Sequence, residues 1–411
     1  MYQVIDDVRV WGQPVDERAV AQAVRCLTSD EEAVAAALMA DHHVGYSQPI
    51  GGVIVYDGAV SPSGVGYDIG CGNNAVRTDL SWSEVRGDVV RIMDEVFDQV
   101  SFGIGSKSNN REHPIFDDPR WNVFKEIGHH EFSSMTKLAR EQLGSVGSGN
   151  HYVDLFVDEH ERVWIGDHFG SRGFGHRTAT GFLNLAKGRM FSDKAPGEQM
   201  DQPPTVLRLD STVGQLYWDA MQLAGDYATT GRDLVLNQVL RILGAHGVEW
   251  IRNNHNLAWR EQQVIDGDSA DVIVVRKGAT PAFPGQLGFV GGSMGDDAVI
   301  VRGVDTDEAS AALHSTVHGA GRVMSRTQAA GKMNWKTRTR AGGQISREMM
   351  RSWVESKGVT LRGGGTDESP HVYKRLSEVL DQHADSIEIV HRLRPFGVAM
   401  AGEGEFDPYK D

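Results

Sequence analysis

Cysteine is scarce: Cys26 and Cys71 are the only two in 411 residues. Two thiols cannot build a disulfide framework, so a stapled secreted scaffold is excluded and a reducing cytoplasm is the expected compartment. Long apolar runs are missing as well. The longest, AVAAALMA at Ala33–Ala40, falls far short of the roughly 20 residues that a bilayer-spanning helix needs. The N-terminal MYQVIDDVRVWG has no basic stretch ahead of an apolar one, so no secretory signal is expected. Positive charge is in deficit: 41 Lys and Arg against 56 Asp and Glu leave a net charge of −15. That excludes coating nucleic acid by bulk electrostatics and leaves room only for a local basic patch. Neither an internal repeat nor a Pro/Ser-rich linker divides the chain, so one large domain over residues 1–411 is expected.

Glycine, by contrast, is plentiful at 48 residues, without a collagen period and gathered in short clusters. Between the clusters, strands are expected at Val8–Trp11, Gly51–Tyr56, Ala75–Thr78, His151–Val157, Arg162–Ile165, Val272–Arg276 and Val299–Arg302. Helices are expected at Pro14–Leu27, Asp30–Ala40, Trp82–Val100, Leu216–Tyr227, Leu234–Leu243, Ile345–Val354 and Val372–His383. The polar stretch Ser101–Gly144 carries no clear period. Strands and helices interleave, which predicts an α/β or α+β fold with mixed sheets.

One turn stands out, GVGYDIGCG at Gly64–Gly72, where Asp68 and Cys71 sit three apart among glycines. Most of the sixteen histidines, including His42, His113, His129, His160 and His383, lie in polar stretches that read as surface. Four others, His151, His168, His255 and His318, are flanked by glycine or amide residues at strand ends or loops. A carboxylate, a thiol and several imidazoles form a transition-metal ligand set, and a thiolate can bridge two ions. The alternative is that Cys71 is a small buried apolar residue, since no short-range ligand pattern is present.

Four glycine clusters, GSVGSGN, GSRGFG, GGSMG and HGAG, could present backbone N–H groups to phosphate oxygens; tight turns are the competing explanation for each. Arg322–Arg340 carries six Lys and Arg with no acid, and Trp335 lies inside it. It is either a local face for a polyanion or a solvated helix face.

VGYDIGCGNNAVRT, GSGNHYVDL, HFGSRGFGH, RKGATPAFPGQ, GGSMG and HGAGRVMSR, in this order, resemble the RtcB family of RNA-splicing ligases, from about Pro49–Gly52 to the C-terminus. The resemblance implies a distinctive α/β fold around two Mn²⁺ ions. Asp68, Cys71 and His151 would hold one; Cys71, His168 and His255 would hold the other. His318 would be the nucleophile that takes GMP from GTP. Asn150, Asp154, Asn256, Gly291, Gly292, Ser293, Met294, Gly319, Ala320 and Gly321 would line the nucleotide site. Arg172, Arg322, Arg326 and His43 would face phosphate or RNA. The implied reaction joins RNA 2′,3′-cyclic phosphate or 3′-phosphate ends to 5′-hydroxyl ends, on broken or spliced RNA such as tRNA halves, with archease as a partner in some members. A composition of one Cys and three His would by itself point to zinc or iron; manganese comes from the likeness.

The chain departs from the family's pattern at Asp154, where Glu is usual, at Ala298 in place of a Ser, and at Ala401 in place of a Lys near the C-terminus; Lys410 lies beyond it. The metal set and nucleophile are kept while the base-reading set is altered. GTP is the expected nucleotide. The alternatives are a ligase of altered nucleotide preference and a Mn-dependent phosphohydrolase that opens cyclic phosphates without sealing.

Overall fold

The alanine-rich run, expected as a helix over 30–40, is the strand Ala33–His43, and it organises half of the molecule. Alanine is the strongest helix former, but burial on two faces decides here. Ala36 and Leu38 enter one apolar core with Ile54, Ile273 and Val275; Ala37 and Met39 enter another with Val53, Val55 and Val274. The period of two assigns alternate residues to opposite faces, so a continuous apolar run serves as a central strand.

The computed structural model describes residues 2–402 except 195, 266, 335, 336 and 338. Two mixed sheets dominate. The six-stranded sheet runs, in spatial order, Gln3–Ile5, Val8–Val10, Ala33–His43, Ile50–Tyr56, Asp268–Lys277 and Asn256–Ile265. The second runs Gly247–Asn254, Gly72–Ser81, Arg162–Phe169, Tyr152–Asp158, Ile387–Gly402, Ala298–Gly303 and Leu287–Val290, with Thr360–Gly364 parallel to Ile387–Gly402. The two sheets meet at one residue. Gly247–Asn254 ends in the second sheet, Asn256–Ile265 begins in the first, and His255 lies between them.

The helix Thr212–Leu243 unites the two expected segments into 32 residues, a span of roughly 48 Å at the helical rise. Ser211 caps its N-terminus by accepting from Gly214 N–H, and Gly244 ends it in the left-handed region. Its first half packs in the core of the six-stranded sheet; Val235, Leu236, Val239 and Leu240 pack in that of the second. The expected helix over 14–27 is Glu17–Thr28, capped by Asp16. The one over 82–100 is two pieces, Trp82–Val85 and Val89–Gln99. The polar stretch 101–144 contains Asn122–Ile127 and His129–Gln142. Only Leu376–Asp381 of the expected 372–383 helix is an α-helix. No helix among the described residues is long and apolar enough to cross a membrane.

Candidate metal centre and nucleotide cleft

The Asp68–Cys71 turn is tied by Cys71 N–H donating to Asp68 O at 3.0 Å. Its glycines let it lie against backbone. A Cβ at Gly70, where φ is +71°, would stand 2.8 Å from Gly225 Cα of the long helix. One at Gly72 would stand 2.2 Å from Asn253 O. Cys71 O accepts from His255 N–H at 2.8 Å, so the turn is joined to the residue between the sheets. Gly170 clears space for the Asp68 carboxylate, since a Cβ there would lie 2.2 Å from Asp68 Oδ1.

This packing gathers the thiol and three imidazoles. Cys71 Sγ lies 3.5 Å from His168 Nε2 and 3.9 Å from His151 Nε2. His151 Nε2 lies 3.2 Å from Asp68 Oδ2. The rings of His168 and His255 stack at 5.1 Å. Two groups of ligand atoms lie within 4.8 Å of one another, Asp68–Cys71–His151 and Cys71–His168–His255, and Cys71 belongs to both.

The outer hydrogen bonds set the tautomers. Asn73 Nδ2 donates to Phe289 O, which leaves its Oδ1 to accept from His168 Nδ1 at 2.5 Å. His151 Nδ1 donates to Val146 O at 3.2 Å. His168 therefore turns its Nε2 lone pair toward the sulfur, as metal-ligating imidazoles do, while His151 Nε2 stands between the sulfur and Asp68 Oδ2. Partial burial works against ionisation of Asp68, yet the hydrogen bond and charge of His151, with Cys71 and Arg172, hold its pKa at about 2. Burial holds His168 and His255 well below the usual imidazole range, that is, in the neutral ligating form. Burial and then Asp68 push the Cys71 thiol up; a cation here would reverse that balance. His255 Nδ1 is buried without a hydrogen-bond partner. A neutral imidazole with an orphaned nitrogen, beside a thiol and a carboxylate, is a donor set that fits divalent metal.

His318 adjoins the centre, its ring 5.0 Å from that of His255. Its Nδ1 lies 2.6 Å from Oδ2 of Asp41, which is wholly buried. The same oxygen accepts the backbone N–H of His318 and Gly319 at 3.1 and 3.3 Å. Gly321, at φ +73°, allows this, because a Cβ would lie 2.2 Å from Asp41 O. Burial opposes charge on Asp41, but His318 outweighs it and keeps the carboxyl below its ordinary range. Asp41 is a residue of the site that sequence reasoning missed; it follows a stretch read as helix, and its partner is 277 positions away.

A cleft of about 570 Å³ opens over this centre. Asn150, Asp154, Asn256, Gly291–Met294 and Gly319–Gly321 all line it, as do His43, Arg322 and Arg326. Asp154 is buried, its Oδ1 has no partner, and burial pushes its pKa well up. Ala298 and Ala401 are buried methyl groups. Lys410 lies outside the described residues. Lys277, unremarked in the sequence, also lines the cleft; burial lowers its pKa to about 8, and Nζ donates to Tyr46 O at 2.6 Å.

Several expected residues stand differently. Arg172 does not line the cleft; its Nη2 donates to Gly103 O at 3.1 Å, and its charge helps hold the Asp68 pKa down. Arg322 and Arg326 both bond the buried Glu368. The basic stretch is thus turned partly inward, and Trp335, Lys336 and Arg338 of it lie outside the described residues. His42 and His383, expected at the surface, are buried, because polar neighbours in sequence do not report tertiary packing. Glu159, His160 and His391 also cluster, but on the surface, with Arg162 Nη2 at 3.4 Å from His391 Nε2; a guanidinium there repels a cation.

The profile of the family described as tRNA-splicing ligase RtcB matches residues 22–401. The tRNA-splicing ligase RtcB of Archaeoglobus fulgidus is 31% identical, covering 94% of this chain and 92% of its own length. The RNA-splicing ligase RtcB of Escherichia coli strain K12 is 30% identical over 94% of this chain and 95% of its own. The tRNA-splicing ligase RtcB of Thermococcus kodakarensis is 29% identical over 88% of this chain and 86% of its own. With residues 22–401 matched, and Cys71, His168, His255 and His318 gathered with two glycine loops on one cleft, the chain belongs to the RtcB family of tRNA- and RNA-splicing ligases.

Proposed function

We propose that this protein is an RNA ligase that joins 2′,3′-cyclic phosphate or 3′-phosphate ends to 5′-hydroxyl ends, using GTP and two Mn²⁺ ions. One observation carries the reading: Cys71 is common to two ligand groups, and His318 stands beside them in the same cleft. Asp68, Cys71 and His151 would hold one ion and Cys71, His168 and His255 the other. Such ions supply neutralisation of phosphate charge and polarisation of a phosphoryl oxygen.

The remaining work belongs to side chains. Asp41 holds the Nδ1 proton of His318 and orients the ring, which leaves Nε2 with a free lone pair. Nε2 attacks the α-phosphorus of GTP; an N–P bond forms, the α–β bridging P–O bond breaks, and pyrophosphate leaves. A cyclic end is first hydrolysed to a 3′-phosphate. An oxygen of that phosphate then takes the guanylyl group, and the histidine departs neutral. The 5′-hydroxyl attacks the activated 3′-phosphorus, loses its proton, and expels GMP. The loops Gly291–Met294 and Gly319–Gly321 bring backbone close to the nucleotide, where side chains would exclude it. His43, kept neutral by burial with a pKa of about 4, and Lys277 border the same space and would meet the RNA end. Archease is a candidate helper.

Incubation with Mn²⁺ and α-labelled GTP should leave a covalent label on the protein, and His318→Ala should abolish it. Equal labelling of that variant would refute the assignment. The base-reading wall favours a second reading. Asp154 is one methylene shorter than Glu and Ala298 and Ala401 offer no polar atom, so a nucleotide other than GTP, or hydrolysis without sealing, fits the same centre. Ligation assays with each of the four nucleoside triphosphates separate these outcomes.

A further inference from the structure

Arg232, in the middle of the helix Thr212–Leu243, is fully buried. Its Nη1 donates to Gly70 O at 2.8 Å and to Phe169 O at 2.6 Å. Its Nε donates to Asn74 Oδ1 at 2.9 Å. Its Nη2 donates to Thr229 Oγ1 at 3.2 Å and to Asn254 Oδ1. Gly70 precedes Cys71, Phe169 follows His168, and Asn254 precedes His255. One guanidinium therefore grips the residue adjoining each member of a single ligand group. Gly72 is shaped to admit it, since a Cβ there would lie 3.0 Å from Nη2.

Burying a guanidinium is strongly unfavourable unless its donors are satisfied. A planar fork with fixed angles satisfies them only if the three strand ends stand at set separations. The other group shares Cys71, but its two remaining members are held from elsewhere: His151 by Val146 O, and Asp68 by the space at Gly170.

We propose that Arg232 is the positioning residue that fixes Cys71, His168 and His255 relative to one another, so that this one of the two metal sites depends on its forked geometry rather than on its charge. The proposal rests on the reading of the cluster as a two-metal centre.

The test is titration of the full-length protein with Mn²⁺, followed by the loss of the free-ion electron paramagnetic resonance signal, and with Co²⁺, followed by the sulfur-to-metal charge-transfer band. The wild type should take up two ions. Arg232→Lys and Arg232→Met should both weaken one site by about tenfold or more and change the Co²⁺ spectrum, while the other site stays within about threefold. Retained charge should not rescue. Equal affinities for both sites in variants that merely melt earlier overturn the proposal, as does a matched loss at both sites or full rescue by Lys. Asn254→Ala removes only the acceptor beside His255 and should cause a smaller loss at the same site. Unchanged binding there overturns the proposal even where the Arg232 variants do not fold. A wild type that takes up neither ion refutes the metal reading itself.

Discussion

His383 has no solvent contact, and both ring nitrogens are committed. Nε2 accepts Ala40 N–H at 3.2 Å, and Nδ1 donates to Ser386 Oγ at 3.2 Å. A second proton would have to displace the first of these bonds. Burial accordingly lowers its pKa from 6.5 to about 4. The unfolded chain takes up that proton near 6.5, so in this window it binds more protons than the native state, and stability rises with pH. The native state loses up to about 3 kcal/mol from this group as pH falls from 6.5 toward 4. His43 acts in the same direction. His383→Gln should therefore flatten the fall in urea midpoint between pH 7 and pH 5; an undiminished slope would show that other groups carry it. Asp41 invites a different substitution. Asp41→Asn keeps the shape but removes the charge that lies 2.6 Å from His318 Nδ1. Labelling by GTP should drop by roughly 100-fold or more with the melting temperature nearly unchanged, and a loss of less than threefold would remove Asp41 from the machinery. Cys71 and the special histidines were legible because each sits in a local glycine or amide context. Asp41, His383 and Arg232 were not, because their meaning lies in partners found only after folding.

Strand and helix ends, more than their interiors, build the centre. The turn before Gly72–Ser81, the end of Arg162–Phe169 and the junction at His255 all converge on the middle of the long helix. Gly225 of that helix and Gly70 of the turn meet backbone to backbone. Gly70→Ala would force a Cβ onto Gly225 Cα and place alanine in the left-handed region. It should destabilise the fold by about 2–4 kcal/mol through overpacking and backbone strain, read as a lower urea midpoint, and should weaken metal uptake with it. A stability within about 0.5 kcal/mol of wild type, on the order of an ordinary surface change, would mean the turn yields freely. At this scale, period and burial agree for Ile50–Tyr56 and Asp268–Lys277, so those strands could be read directly. For 33–43 they conflict: alanine content points to helix, and the sheet's two cores decide otherwise.

A net charge of −15 limits how the whole molecule can hold a polyanion. Among the described residues, the cations lining the cleft are Arg18, Lys277, Arg322 and Arg326, and the last two are bonded to Glu368. Asp16, Asp68 and Asp154 line it too. Each phosphate neutralised on a single strand contributes about −0.7 to the slope of log affinity against log salt. Four cations thus allow a slope no steeper than about −3. Binding of a short single-stranded RNA with a 3′-phosphate should follow this shallow dependence, measured by anisotropy between 50 and 300 mM salt with His318→Ala to prevent turnover. A slope near −5 or beyond would require a basic track outside the cleft, and the Arg322–Arg340 stretch would be its first candidate. A shallow slope instead means that affinity for RNA ends comes from the terminal phosphate and the centre beneath it. Such a protein would discriminate ends by their chemistry while ignoring the length of the strand behind them.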